Sequence, residues 1–247
     1  MKKAIFACLA CAVFIGFLRF IGMVIALSKS FFRHCCRRKQ NLFERYGGEG
    51  TWALVTGATG GIGAAFCRQL ARDGFNICLV SRTQSKLKAL ASELKQIAPG
   101  VKTRIVQADF FENSNPNFYK NIVRKVADLD IGFIVLNAGL MHVGYVETRS
   151  GKDLRETLDV NSYSLVILLK MLLPQLNNRC DSQKTSGVLA TSSLAGNAPV
   201  GGNALYHSTK SFVSFLIEAV RYELENANSK VELYTLTPSS VDTFLMQ

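Results

Sequence analysis

The chain has 247 residues, enough for one α/β domain with an appendage and a large buried core. Its formal charge of +11 would suit a nucleic-acid partner, but nine basic against two acidic residues up to Gly50 account for +7, leaving +4 for the rest; a nearly balanced domain excludes nucleic acid as the partner. Seven scattered cysteines without a Cys-x-x-Cys, and no histidine at ligand spacing, indicate neither a disulfide framework nor a metal site, and suit a reducing, cytosol-facing environment.

Residues 4–27 are almost wholly apolar, with Arg19 as the one charge, and at about 1.5 Å per residue they are long enough to cross a hydrocarbon core. Arg19 at that depth is costly unless it snorkels, so a hairpin or interfacial insertion stands beside a single span. No small-x-small site closes the run, which argues against a cleaved signal peptide. The basic residues Lys29, Arg33, Arg37, Arg38 and Lys39 outweigh Lys2 and Lys3, placing the remainder of the chain on the cytosolic side. Cys35 and Cys36 beside them are candidates for palmitoylation. Residues 40–50, ending Gly47-Gly48-Glu49-Gly50, read as a linker. The expected organisation is an anchor, basic flank and linker over 1–50 and a Rossmann-type domain over 51–247.

The domain opens with an apolar strand over 52–55 that runs into Thr56-Gly57-Ala58-Thr59-Gly60-Gly61-Ile62-Gly63 and a helix over 64–73. Glycine at 57 permits a tight turn, glycine at 61 lets the backbone approach a pyrophosphate, and glycine at 63 lets helix and strand pack closely. The free N–H groups at the helix start then face the anion. Strands and helices alternate thereafter. Strands fall at 76–80, 102–107, 132–136, 187–191 and 231–236, and helices at 85–97 (Thr83 as cap, Pro99-Gly100 as stop), 117–127, 152–176 and 203–225. Such repetition makes a doubly wound α/β fold with a parallel sheet. The apolar run 165–173 is interrupted by Lys170 and ended by Pro174, too short to span a membrane; it reads as a buried helix or a subunit interface.

Two constellations carry chemistry. Where a carboxylate would grip the ribose of NAD, the chain reads Val80-Ser81-Arg82, and a guanidinium that can fork onto a phosphate favours NADP(H). Asp109, after the third strand, is placed to accept from an adenine amino group or to cap its own loop. Further on, Tyr206-His207-Ser208-Thr209-Lys210 lies within a helix, and a spacing of four puts the phenol and the ammonium on one face. The cation should lower the phenol pKa and make Tyr206 a proton donor for a ketone. Ser193, thirteen residues earlier at the end of a strand, could hold the substrate oxygen, with Ser192 as its neighbour candidate.

These residues together resemble the short-chain dehydrogenase/reductase family, whose motifs stand here as residues 56–63, Asn137-Ala138-Gly139, Asn161, Ser193 and Tyr206 with Lys210. The resemblance implies a Rossmann-type sheet and a four-residue site. Tyr206 is the general acid, Lys210 binds the nicotinamide ribose, Ser193 polarises the carbonyl and Asn161 holds a relay water. Cofactor contacts are implied for Gly57, Thr59, Gly60, Gly61, Ile62, Gly63, Arg82, Asp109, Asn137, Ala138, Gly139, Tyr206, Lys210 and Thr243. Within the family, the apolar amino terminus, residues 50–55 and residues 206–215 are similar to microsomal very-long-chain 3-ketoacyl-CoA reductases and 17β-hydroxysteroid dehydrogenases. That likeness implies reduction of a lipid ketone with NADPH at the endoplasmic reticulum membrane, the domain facing the cytosol, and pairing of subunits through the apolar faces of 154–173 and 212–224. Two departures stand out: Pro238 is followed by Ser239 rather than glycine, and relatives carry a substrate-covering helix and a seventh strand beyond position 247. A domain cut short there implies a pocket lacking a wall. A retinoid or other alcohol oxidoreductase, and a tethered dinucleotide-binding protein without turnover, therefore remain alternatives to the lipid ketone reductase.

Overall fold

The computed structural model describes residues 2–35, 41–111, 115, 117–182, 184–239 and 241, with side chains in the first helix described for 13–29 and 31. The chain forms two units, 1–40 and 41–247. The first is a single helix, α1 (Lys2–Cys35). Every described side chain in it is exposed, Phe14, Phe17, Phe20 and Leu27 among them. Among the described residues no helix is long and apolar enough to cross a membrane, so the crossing expected over 4–27 is not supported. Cys36 and the side chains of Arg33, Cys35, Arg37, Arg38 and Lys39 lie outside the described residues.

The second unit is a six-stranded parallel sheet in the order β3-β2-β1-β4-β5-β6. The strands are β1 (Trp52–Thr56), β2 (Asn76–Ser81), β3 (Thr103–Gln107), β4 (Ile131–Leu136), β5 (Ser186–Thr191) and β6 (Val231–Leu236). The order reverses beside β1, so the crevice between the carboxyl ends of β1 and β4 is the topological switch point. Alternation along each strand feeds two cores. Ala53, Val55, Ile77, Leu79, Phe133 and Val135 pack on α3 (Gly61–Asp73) and α4 (Gln84–Ile97) through Cys67, Leu70, Leu87 and Leu94. Leu54, Val80, Ile134, Leu136, Val188 and Leu233 pack on the other face, against α5 (Phe118–Arg124), α7 (Ser164–Asp181) and α8 (Ala204–Asn226) through Ile122, Leu168, Leu172, Val213 and Ile217.

Three departures from the sequence reading have physical causes. Residues 41–50 are not a free linker: Asn41 caps a short helix, α2 (Leu42–Tyr46), that belongs to the domain. Tyr46 is buried, stacks on Phe133 at 5.2 Å and donates its hydroxyl to Glu232, while Arg179 reaches the Tyr46 carbonyl at 2.8 Å and Asp130 at 2.8 Å. These contacts lie at the amino-terminal ends of the strands, opposite the switch point. Next, the helix expected over 152–176 is two helices, α6 (Gly151–Leu158) and α7, joined by a π turn over Asp159–Tyr163. A π turn admits an extra residue without changing hydropathy periodicity much, so pattern reading passes over it. Finally, Pro174 sits inside α7, which continues to Asp181 because Leu176, Arg179 and Cys180 are buried beyond it. Thr83 stands at the start of α4 but makes no side-chain capping bond.

Candidate active site

The glycine turn is built as the sequence suggests. Gly57 has φ +61°, a left-handed conformation that a side chain resists, and a Cβ there would lie 2.9 Å from Ala138 Cα. A Cβ on Gly63 would collide with the Gly57 carbonyl oxygen and lie 2.7 Å from Asn137 Nδ2. Gly60 precedes α3 without a side-chain cap, so the N–H groups of Gly61, Ile62 and Gly63 are left at the helix start without helical carbonyls. Gly60 and Gly61 are exposed, which leaves room for an anion.

Beside this turn Thr59 Oγ1 bonds Ser81 Oγ at 2.8 Å, linking the glycine loop to the end of β2. Arg82 comes next in the chain. Its carbonyl accepts from Gln107 Nε2 at 3.0 Å, its side chain is exposed, and its guanidinium makes no ion pair among the described residues. Asp109 accepts from the Phe111 N–H at 3.1 Å, the loop-capping role.

The turn 137–139 after β4 is held by a residue that the sequence pattern marks only as a flank. Thr56 Oγ1 accepts from the N–H groups of Asn137 at 2.9 Å and Ala138 at 3.1 Å, while Asn137 Nδ2 reaches the Gly57 carbonyl at 3.5 Å. A threonine closing β1 at the switch point was the available signal.

Asn161 lies in the π turn and is buried. Its Oδ1 accepts from Leu140 N–H at 2.8 Å, and its Nδ2 donates to the Leu140 carbonyl at 2.9 Å and to Thr209 Oγ1 at 3.1 Å. Both amide hydrogens are thereby committed, so the side chain has no donor left for a relay water. Ser192 and Ser193 separate cleanly. Ser192 Oγ donates to the Lys210 carbonyl at 2.7 Å and accepts from Ser214 Oγ at 2.8 Å, facing the back of α8. Ser193 opens the short 3-10 turn Leu194–Asn197, accepts from Ala195 N–H at 3.1 Å and faces the phenol of Tyr206.

Lys210 is buried, with Nζ donating to the Thr191 carbonyl at 2.9 Å and lying 5.6 Å from the Tyr206 ring centroid. Burial pushes its ammonium down to about 8. Tyr206 departs from expectation. Burial raises its phenol above the ordinary value and the Ser193 hydroxyl only partly offsets this, with no contribution from Lys210. At a half-buried phenol, desolvation outweighs a cation already committed to Thr191 and itself inclined to lose its proton. Gly139 lies beside Lys210 and Asn161: a Cβ there would lie 3.4 Å from Lys210 Nζ and 3.5 Å from Asn161 Oδ1. Thr191 Oγ1 is buried with no hydrogen-bond partner, an orphan at the same spot. Thr243 lies outside the described residues.

Glycine turn, switch-point crevice and a Tyr-Lys-Ser-Asn cluster thus meet at one end of the sheet. A family profile described as short chain dehydrogenase matches residues 51–247. The chain belongs to the short-chain dehydrogenase family. Its relatives include a very-long-chain 3-oxoacyl-CoA reductase of Ajellomyces capsulatus, 35% identical over 88% of this chain and 65% of that protein. The counterpart of Coccidioides immitis is 36% identical over 76% of this chain and 53% of that one. The chain spans about half to two-thirds of the length of these relatives. Among solved structures, a 7beta-hydroxysteroid dehydrogenase superposes with a TM-score of 0.70 at 29% identity, covering 84% of this chain and 75% of that one. A short-chain dehydrogenase from Sphingobium yanoikuyae in complex with NADPH gives 0.69 at 28% identity, covering 79% and 73%.

One further group escapes a reading of the sequence. His142, Asp153 and Glu156 bring their ligand-type atoms within 4.8 Å of one another, although they are scattered in sequence. His142 Nε2 lies 3.3 Å from Glu156 Oε2 and Arg149 pairs with Asp153 at 3.7 Å, so each carboxylate already has a partner within the chain.

Proposed function

We propose that this protein is an NADPH-dependent carbonyl reductase acting on a long-chain 3-ketoacyl-CoA. The observation that carries the reading is the convergence of Tyr206, Ser193, Lys210 and Asn161 beside the glycine turn; the names of the curated relatives support the acyl substrate. The dinucleotide pyrophosphate would sit on the amides of 61–63, with Asn137 to Gly139 lining the crevice and Lys210 and the orphaned Thr191 hydroxyl at the nicotinamide end. Exposed Arg82, in a stretch Val80-Ser81-Arg82 that carries no carboxylate, supports a 2′-phosphate and hence NADP(H) over NAD. When bound, the reduced nicotinamide supplies a hydride. The chain's own residues do the rest. Ser193 donates to the substrate carbonyl oxygen, and Tyr206 gives its proton to that oxygen as negative charge develops.

Helix α1 exposes apolar side chains between Val13 and Phe31, and in this reading they keep the domain at the endoplasmic reticulum bilayer, where a long acyl chain is already concentrated. The exposed Phe212 and Phe215 of α8 suit pairing with a second copy. Detergent-solubilised protein should oxidise NADPH when given a 3-ketoacyl-CoA and prefer it to NADH. Turnover of ketosteroids or retinoids alone would redirect the substrate assignment, and dinucleotide binding without turnover of any ketone would overturn the enzyme.

A further inference from the structure

Thr209 sits between the two catalytic positions of α8, one residue before Lys210 and three after Tyr206. It is buried and its hydroxyl is fully used: Oγ1 accepts from Asn161 Nδ2 at 3.1 Å and donates to the Tyr206 carbonyl at 2.8 Å. Asn161 in turn clamps both backbone groups of Leu140, the residue after the Asn137-Ala138-Gly139 turn. One hydroxyl therefore joins the π turn, the crevice loop and the first turn of the helix carrying the proton donor. The π turn is what brings Asn161 inward: in it the Ser164 N–H reaches back to the Asp159 carbonyl. Gly139 has Lys210 Nζ and Asn161 Oδ1 within contact distance of where its Cβ would be, so little slack exists there.

We propose that Thr209 is a positioning residue that fixes Tyr206 relative to Asn161 and the crevice loop through this two-bond link. The proposal rests on the reductase reading above. A methyl in place of the hydroxyl leaves a buried amide hydrogen of Asn161 unpaired and frees the Tyr206 turn, while serine keeps both bonds. The Thr209 hydroxyl reaches the dinucleotide crevice only through Asn161 and Leu140, whereas it bonds the Tyr206 carbonyl directly, so its loss should slow turnover more than it weakens dinucleotide binding.

The test compares Thr209→Val and Thr209→Ser in the full chain, with Thr209→Ala as a second hydroxyl-free form should valine fail to fold. Thr209→Val should lower kcat about 10- to 100-fold, with the NADPH Kd, read by fluorescence, changed by a clearly smaller factor. Thr209→Ser should recover kcat to within about threefold. A readout independent of turnover is the ultraviolet titration of the Tyr206 phenol, isolated by subtracting Tyr206→Phe in each background; it should move by at least about 0.5 unit in Thr209→Val and not in Thr209→Ser. An unchanged titration in Thr209→Val, or serine failing as badly as valine, overturns the inference. If the wild type reduces no ketone, the reductase reading fails, and the titration still decides whether Thr209 positions the phenol.

Discussion

Replacing Lys210 with methionine should make the protein more stable at neutral pH while removing its activity. Burial lowers the Lys210 ammonium from 10.5 to about 8, and 2.5 units correspond to about 3 kcal/mol of cost for holding the charge inside the fold. The sign is set by proton uptake. Between pH 8 and 10.5 the unfolded chain binds the proton and the native chain does not, so stability rises with pH across that window and the cost is fully present below it. Methionine removes the charge at similar length. It also removes the bond from Nζ to the Thr191 carbonyl, and an unsatisfied buried acceptor costs about 1–3 kcal/mol. The net gain at pH 7 is then about 1 kcal/mol, or roughly 2–4 °C in Tm for a domain of this size. Urea unfolding of wild type and Lys210→Met in detergent, at pH 7 and at pH 10, measures it. The advantage should shrink at the higher pH, where wild-type Lys210 is neutral when folded. A variant less stable at pH 7, or a difference independent of pH, would refute the desolvation argument.

Gly63→Ala forces a Cβ against the Gly57 carbonyl and Asn137, both parts of the crevice, and should cost about 1–3 kcal/mol in stability and abolish NADPH binding, as read by fluorescence titration. Arg82→Ala should raise the KM for NADPH about 10- to 100-fold and leave that for NADH unchanged, since a charge-assisted bond to the 2′-phosphate is worth about 1.5–3 kcal/mol. At the opposite end of the sheet, burial raises the Glu232 carboxyl, but hydrogen bonds from Arg45, Tyr234 and Tyr46 outweigh it and hold it at about 2. A depressed carboxylate contributes stability that is lost as pH falls from 4.5 toward 2, so acid unfolding followed by circular dichroism should be steeper in that range for wild type than for Glu232→Gln.

Much of the fold was legible because it is written in patterns that the backbone enforces. Alternating strand and helix periods gave six parallel strands, and the glycines at 57 and 63 marked the turn whose φ and close approaches the structure displays. Ser193, Tyr206 and Lys210 come together because the first stands at a strand end and the other two on one helix face, positions that spacing reveals, whereas Asn161 was marked only by the family resemblance. What escaped was set by tertiary partners. Residues 41–50 looked like a linker because Gly47, Gly48 and Gly50 dominate them, yet Tyr46 finds a slot against Phe133 and Glu232 that no local signal announces. The π turn at Asn161 and the continuation of α7 past Leu176 likewise depend on what the helices pack against. The phenol titration departs from the spacing argument for a related reason: a separation of four places Lys210 near Tyr206, but burial and the pull of Thr191 on the ammonium decide the outcome.

The central claim is that the Tyr206 hydroxyl supplies the proton. The measurement closest to it is single-turnover NADPH oxidation with a 3-ketoacyl-CoA by wild type and Tyr206→Phe, with the NADPH Kd of each. The account predicts a rate lowered about 100- to 10,000-fold by the loss of one hydroxyl, with Kd nearly unchanged. A Tyr206→Phe enzyme that reduces the ketone at the wild-type rate would contradict it.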